Sequence, residues 1–371
     1  MKANKGEWSE PYVALRLLGE GKLHLADDDG KRLPGQWLKV LDVIRYETKD
    51  RMVEYNCSTE TTIDVSVDGE NVVSVAANDF LRYAEQLKEE IIESTGNSFS
   101  VSDEIKDFFK RVEIKSIKAR SVNKSDIFIS TEDPSTSIIR EHIGFSIKSK
   151  FGKDPTLFNT GTNSAAVYKL TNIDDELMNR VNNTYDDKGH TAVAERCRLL
   201  KENGCDFEFS GFPTASRSHC KTFEENLDLL NPRLGSVIDF VLKTHFLTES
   251  KARDVEDMVE LLVEHNPCGI TRAEEKYPYM MKSFLYASYC GLTAGTLWDG
   301  KSQVNGGFIA VDENGKVTAN LAIESEGFKS YLFKHCYFEW PATSEGHGNY
   351  AKVYKENGEY FFRLNFQIRY R

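Results

Sequence analysis

The chain has 371 residues, 40% of them hydrophobic, enough to bury a substantial core as one elaborated domain or two ordinary ones. Its net charge of −11 argues against indiscriminate adhesion to a polyanion. The longest apolar runs are short, and VALRLL is broken by Arg16, so neither a membrane span nor a signal-peptide core is expected and the expected compartment is the cytoplasm. Seven scattered cysteines (57, 197, 205, 220, 268, 290 and 336) with no CxxC pair point to reduced, mostly buried thiols rather than disulfides or a tetrahedral zinc site.

In chain order, residues 11 to 19 have helical spacing, and Pro11 favours a helix start that makes Glu10 a cap-like residue. KVLDVIRYET, RMVEYNCS and TTIDVSV follow as strands joined by polar turns. NDFLRYAEQLKEEIIES predicts an amphipathic helix whose stripe runs through Leu81, Ala84, Leu87, Lys88, Ile91 and Ile92. A second helix begins near Ser102, and DIFIS and HIGFSIKS are short strands. From about 174 the chain turns helical through DDELMNRVNN, TAVAERCRLLKENG, FEENLDLL, LGSVIDFVLKTHFL and AEEKYPYMMKSFLYASY. Two hairpins end it, GGFIAVDENGKVTANLAI and YAKVYKENGEYFFRLNFQIRY, each turning on an Asn-Gly. The expected class is therefore α/β or α+β, with a catalytic region over 1–165 and a helical insertion with terminal strands over 166–371, the boundary approximate.

Charge is distributed unevenly along this plan. Between Lys110 and Lys153 ten basic residues face five acidic ones, a local charge of +5 in an acidic chain. A run of this kind is commonly only a solvated face, but this one contains an acid and a lysine in a suggestive arrangement. Asp126 starts DIFIS and Lys148 ends GFSIK on the next strand. Alternation along that strand puts Ser146 and Lys148 on one face and sends Phe145 and Ile147 into the core. An acid on one strand with acid-x-Lys on the next suits metal-dependent phosphodiester hydrolysis: carboxylates hold Mg²⁺, and the lysine positions water or neutralises developing charge.

Ser146 occupies the position usually held by the second acid, and a serine cannot supply its charge to a hard cation. KGEWSE offers a replacement. Glu10, Val13, Ala14 and Leu17 follow i, i+3, i+4, i+7, so Glu10 heads an inward-facing stripe, whereas Glu7 suits a simple helix-dipole role. After Lys148, the segment KSKFGKDPTLFNTGTNSAAVYKL carries Lys150, Lys153, Thr156, Asn159, Thr160, Thr162 and Asn163, short polar and cationic groups able to hold phosphate oxygens.

Four ordered passages resemble the HpaII-like family of type II restriction endonucleases: NKGEWSEPYVALRLLGEGKL, GFSIKSKFGKDPTLFNTGTNS, LTAGTLWDGKSQVNGGFIAVDENGKV and YAKVYKENGEYFFRLNFQIRY. The resemblance implies a PD-(D/E)xK-type core, a mixed sheet flanked by helices, and Mg²⁺-dependent cutting of both strands of DNA at a short palindrome. CCGG or a related GC-rich site is the first expectation. It carries over Asp126 and Lys148 as catalytic acid and lysine, Ser146 in the second acid's place, and Glu10 as a helix-borne metal carboxylate. It also implies a prokaryotic cytoplasm, a homodimer matched to a two-fold target, and a cognate DNA methyltransferase. Glu345 in PATSEGHGNY departs from the family's Arg-His; an arginine binds guanine bidentately where a glutamate accepts from cytosine, so the departure bears on specificity. Candidate base readers are Arg217 and His219 in SGFPTASRSHC, and Gln367 and Arg369, which alternate with Phe366 and Ile368. Two alternatives remain open at this point: a repair or structure-specific nuclease of the same fold, and a non-catalytic DNA-binding protein in which Ser146 marks a decayed site.

Overall fold

The computed structural model describes residues 1–57, 59–119, 125–184, 190–215, 219–302, 305–322, 325–341 and 350–371. Its elements begin with α1 (Lys5–Glu20), β1 (Lys22–Ala26), β2 (Arg32–Thr48), β3 (Arg51–Asn56), β4 (Thr62–Val67), β5 (Glu70–Ala76), α2 (Ala77–Glu93), α3 (Asp103–Arg111), β6 (Ile127–Glu132) and β7 (Ile139–Ser149). Next come β8 (Thr156–Phe158), β9 (Ala166–Thr171), α4 (Asp175–Asn183), α5 (His190–Glu202), β10 (Asp206–Phe209), α6 (Thr222–Leu230), α7 (Leu234–Leu247), α8 (Val255–His265) and α9 (Ala273–Cys290). The series ends with β11 (Gly307–Val311), β12 (Val317–Leu321), α10 (Ser325–His335), β13 (Cys336–Glu339), β14 (Tyr354–Glu356), β15 (Glu359–Leu364) and β16 (Gln367–Tyr370). Among the described residues, no helix is long and apolar enough to cross a membrane.

These elements form two compact units made of discontinuous segments, Met1–Pro155 with Ser302–Tyr331 and Thr156–Lys301 with Leu332–Arg371. This division differs from a single boundary near 165. The cause is strand pairing: β11 lies parallel to β7, with Phe308 opposite Ser146 and Ala310 opposite Lys148, so the 307–321 hairpin joins the first unit's sheet.

The first unit is a nine-stranded mixed sheet in the order β1-β12-β11-β7-β6-β2-β3-β4-β5. Among the described strands of this sheet, β7–β11 and β1–β12 pair in parallel and the other pairs are antiparallel. Its core draws Trp8, Tyr12, Val13, Leu15, Leu17 and Leu18 from α1, which is apolar around most of its circumference. Gly19 lets α1 lie against α2, because a Cβ there would sit 2.6 Å from the Leu81 amide nitrogen.

The start of α1 corrects the sequence expectation. Asn4, not Glu10, is the N-cap, and a capping box closes it: Glu7 N donates to Asn4 Oδ1 (2.9 Å) while Asn4 N donates to Glu7 Oε2 (3.0 Å). Pro11 lies inside the helix; its fixed φ is helical, but it has no N–H to donate to the Glu7 carbonyl one turn back. On α2 the buried stripe is Ala77, Phe80, Ala84, Leu87 and Ile91, and Ile92 is 47% exposed. Phe80 replaces Ile92 because the true stripe begins one turn earlier; burying such a side chain contributes about 1.5–3 kcal/mol.

The second unit holds a four-stranded sheet, β10-β9-β15-β14, and a three-stranded one, β13-β16-β8. Phe158 anchors it, with ring centroids 5.3 Å from Phe223, 5.4 Å from Phe366 and 5.5 Å from Phe284. The Asn357-Gly358 turn has φ of 51° and 83°, the left-handed pair that a tight hairpin turn requires.

Candidate active site

The β6–β7 pair fixes the first acid. Asp126 immediately precedes β6, and its amide donates to Phe145 O at 2.8 Å, continuing the antiparallel ladder. Its Oδ2 accepts from Ile147 N at 2.8 Å and from Ser146 Oγ at 3.2 Å. Ser146 therefore orients the carboxylate without adding a charge. Phe145 and Ile147 are buried in the core, which leaves Ser146 and Lys148 on the opposite face of β7.

Glu10 reaches the same place from the middle of α1. It is 7% exposed, and its Oε2 accepts from Ala119 N at 2.9 Å. Burial first, then the neighbouring Asp126 charge, pushes its carboxyl up to about 7, against the opposing pull of Arg45, the Ala119 amide and Lys118. Lys148, partly buried, is shifted below the ordinary lysine range by desolvation; Asp126 and Glu10 oppose that shift and Lys118 reinforces it. Asp126, Glu10 and Lys148 thus form one electrostatically coupled cluster within the first unit.

Two carboxylates brought together from a helix and a strand edge, one of them buried, make a site that a cation would stabilise. Their hard oxygen donors suit Mg²⁺, which commonly binds through one or two carboxylates and keeps several waters. Among the described residues, no cluster of three or more His, Cys, Asp or Glu could hold a metal ion.

The model of the HpaII restriction endonuclease family matches residues 4–370. The chain belongs to that family. Type II restriction enzyme HpaII of Haemophilus parainfluenzae is 28% identical over 370 residues, covering 99% of this chain and 98% of that protein. No solved structure matches the chain. Members of the HpaII family are site-specific deoxyribonucleases, so the substrate of this chain is DNA.

Of the remaining sequence candidates, Lys150 and Lys153 are exposed on the first unit just after β7. Thr156, Asn159, Thr162 and Asn163 belong to the second unit, with Asn159 and Thr162 exposed and Thr156 and Asn163 half-buried. The polar loop there is partly structural: Ser164 Oγ donates to Asn365 Oδ1 (3.1 Å), and Asn365 Nδ2 donates to Gly161 O (2.7 Å). Gln367 and Arg369 on β16 both bond to the Glu339 carboxylate of β13, so the pair is tied down at one end. Arg217 and Glu345 lie outside the described residues.

Several residues that shape this HpaII-family site escaped the sequence reading. Arg45 and Glu47 on β2 form an ion pair (Nε to Oε1, 3.2 Å) with side chains 0% and 1% exposed. Arg45 also donates to Ser116 O and Ile117 O, and Glu47 accepts from the amides of Lys115 and Ser116. Gly144, opposite Phe128, is held by Asn305, whose Oδ1 accepts from its amide at 2.8 Å, while its carbonyl accepts from Gly306 N at 3.0 Å. The signal for this was the NGG of the third family-like passage, read there as resemblance and not as packing.

Proposed function

We propose that this chain is a Mg²⁺-dependent type II restriction endonuclease with a PD-(D/E)xK-type centre made of Asp126, Glu10, Lys148 and Ser146. The observation that carries this reading is the convergence of buried Glu10 on Asp126, which supplies the second carboxylate that Ser146 cannot. Asp126 and Glu10 would hold the ion, which when bound supplies Lewis-acid neutralisation of charge at the scissile phosphate.

The chain's own groups do the rest. Ser146 and the Ile147 amide keep the Asp126 carboxylate aimed. The Ala119 amide does the same for Glu10. Lys148, whose charged form burial disfavours and Asp126 and Glu10 support, steadies the attacking water and the extra negative charge that builds on the phosphoryl oxygens during in-line displacement. Lys150, Lys153, Thr156, Asn159, Thr162 and Asn163 are the proposed backbone contacts, and Arg217, Gln367 and Arg369 the proposed base readers.

The proposed target is CCGG or a related short GC-rich palindrome, cut by a homodimer and protected in the cell by a cognate DNA methyltransferase. The test is digestion of plasmid DNA by the purified chain with Mg²⁺, followed by sequencing of the fragment ends. One consensus at every end supports the reading. Ends without a consensus would mark a structure-directed nuclease, and intact DNA under every Mg²⁺ condition would remove the catalytic assignment.

A further inference from the structure

After α3, the backbone of 112–119 runs as a strap in the first unit, and side chains from three elements hold it. Tyr55 Oη donates to Val112 O at 3.0 Å. Glu47 accepts from Lys115 N and Ser116 N, and Arg45 donates to the next carbonyls, Ser116 O (2.9 Å) and Ile117 O (3.2 Å). Ser116 Oγ donates to Lys118 O at 2.6 Å, and Ala119 N donates to Glu10 Oε2 at 2.9 Å. A loop whose successive polar backbone groups are matched by buried side chains is a placed element.

What it places is Lys118. The residue is exposed, adjoins the Ala119 amide that touches Glu10, and makes no ion pair among the described residues. Its charge acts on both Glu10 and Lys148. Glu10 attracts this charge and Lys148 repels it, and the exposed ammonium is open to a phosphate arriving from solvent. Arg45 and Glu47, buried and committed to the backbone, are positioning residues for this strap.

We propose that Lys118 is a phosphate-binding residue of the catalytic centre, presented by the pinned 115–119 strap to contact a DNA backbone phosphate at or beside the bond that is cut. The inference rests on the reading of Asp126, Glu10 and Lys148 as that centre. Lys118 is one of ten cations in a basic run; the hydrogen bond linking residues 10 and 119 distinguishes it by placing its backbone next to the centre.

The test uses the full chain with Lys118→Gln, Lys118→Arg and Lys148→Ala, and a plasmid restriction fragment that the unaltered protein cuts. Binding is measured with Ca²⁺ in place of Mg²⁺ across a salt series, and single-turnover cleavage with Mg²⁺. Lys118→Gln is expected to weaken binding about tenfold and to lower the slope of log affinity against log salt by about one, the signature of one lost phosphate contact. Lys118→Arg keeps the slope. Wild-type affinity and slope in Lys118→Gln, with Lys148→Ala uncut, would overturn the role of Lys118 and leave the catalytic reading standing. Wild-type cleavage by Lys148→Ala would overturn the catalytic reading and, with it, the placement of Lys118 in that centre.

Discussion

Gly144→Ala is the most informative single methyl group in the first unit. A Cβ at that position would lie 2.2 Å from Ser125 Oγ, 2.8 Å from Ser125 Cβ and 3.0 Å from Phe128 Cε1. The strand cannot yield easily, because the Gly144 amide and carbonyl are held by Asn305 and Gly306. Ser125, 1% exposed and directly before Asp126, must move instead, by about 1 Å to regain ordinary contact. Rotating the hydroxyl away is not enough, since the Ser125 Cβ remains too close.

Overpacking of this kind costs about 1–3 kcal/mol of stability. A displacement of about 1 Å at a reacting group costs about 10²-fold in rate. We therefore expect Gly144→Ala to lose about 10²-fold in single-turnover cleavage with Mg²⁺, with a modest fall in the urea midpoint. Ser125→Gly in the same chain removes both clashing atoms and should return most of the rate. Wild-type cleavage by Gly144→Ala, or a double variant no faster than the single one, would refute the route from Gly144 through Ser125 to Asp126.

Glu10→Gln should abolish cleavage while leaving the melting temperature within a few degrees, because an amide oxygen can still accept from Ala119 N; Glu7→Gln preserves the capping box and should cut like the unaltered protein. Equal activities in the two variants, measured side by side on plasmid DNA, would return Glu10 to a purely structural role. In the second unit, His245 stacks on Trp340 at 3.8 Å, and burial, helped by Arg253, lowers its pKa from 6.5 to about 4. The folded state then favours neutral imidazole. Its contribution is complete above pH 6.5 and is lost as pH falls from 6.5 through 4, at up to about 1.4 kcal/mol per pH unit. His245→Phe, which keeps the stack, should flatten that part of the stability profile in urea titrations from pH 7 to 4; parallel profiles would remove His245 from the account.

Much of this architecture was legible because it is local. The Asn-Gly turns, the α2 stripe and the alternation that separates Ser146 and Lys148 from Phe145 and Ile147 depend on neighbours in sequence. Glu10 was recognised as inward-facing from spacing alone, yet its helix was started too late: the Asn4–Glu7 capping box outweighed the boundary signal of Pro11. Arg45 and Glu47 were invisible because two charges inside KVLDVIRYET look like solvent-facing positions, and only the return of 115–117 across β2 explains their burial. Helix α8 and strand β5 have no counterpart in the sequence expectations, and β5 is an exposed edge with a weak burial pattern. Gly144 and the NGG segment carry information that exists only once β7 and β11 are paired.

The central claim is that Asp126, Glu10 and Lys148 act together on a phosphodiester bond. Single-turnover cleavage of plasmid DNA by Lys148→Ala, run beside a binding measurement in Ca²⁺, tests it most directly. The account predicts a loss of about 10³-fold or more in cleavage with binding retained, as for removal of a principal charge-stabilising group. Cleavage by Lys148→Ala at the unaltered protein's rate would contradict it.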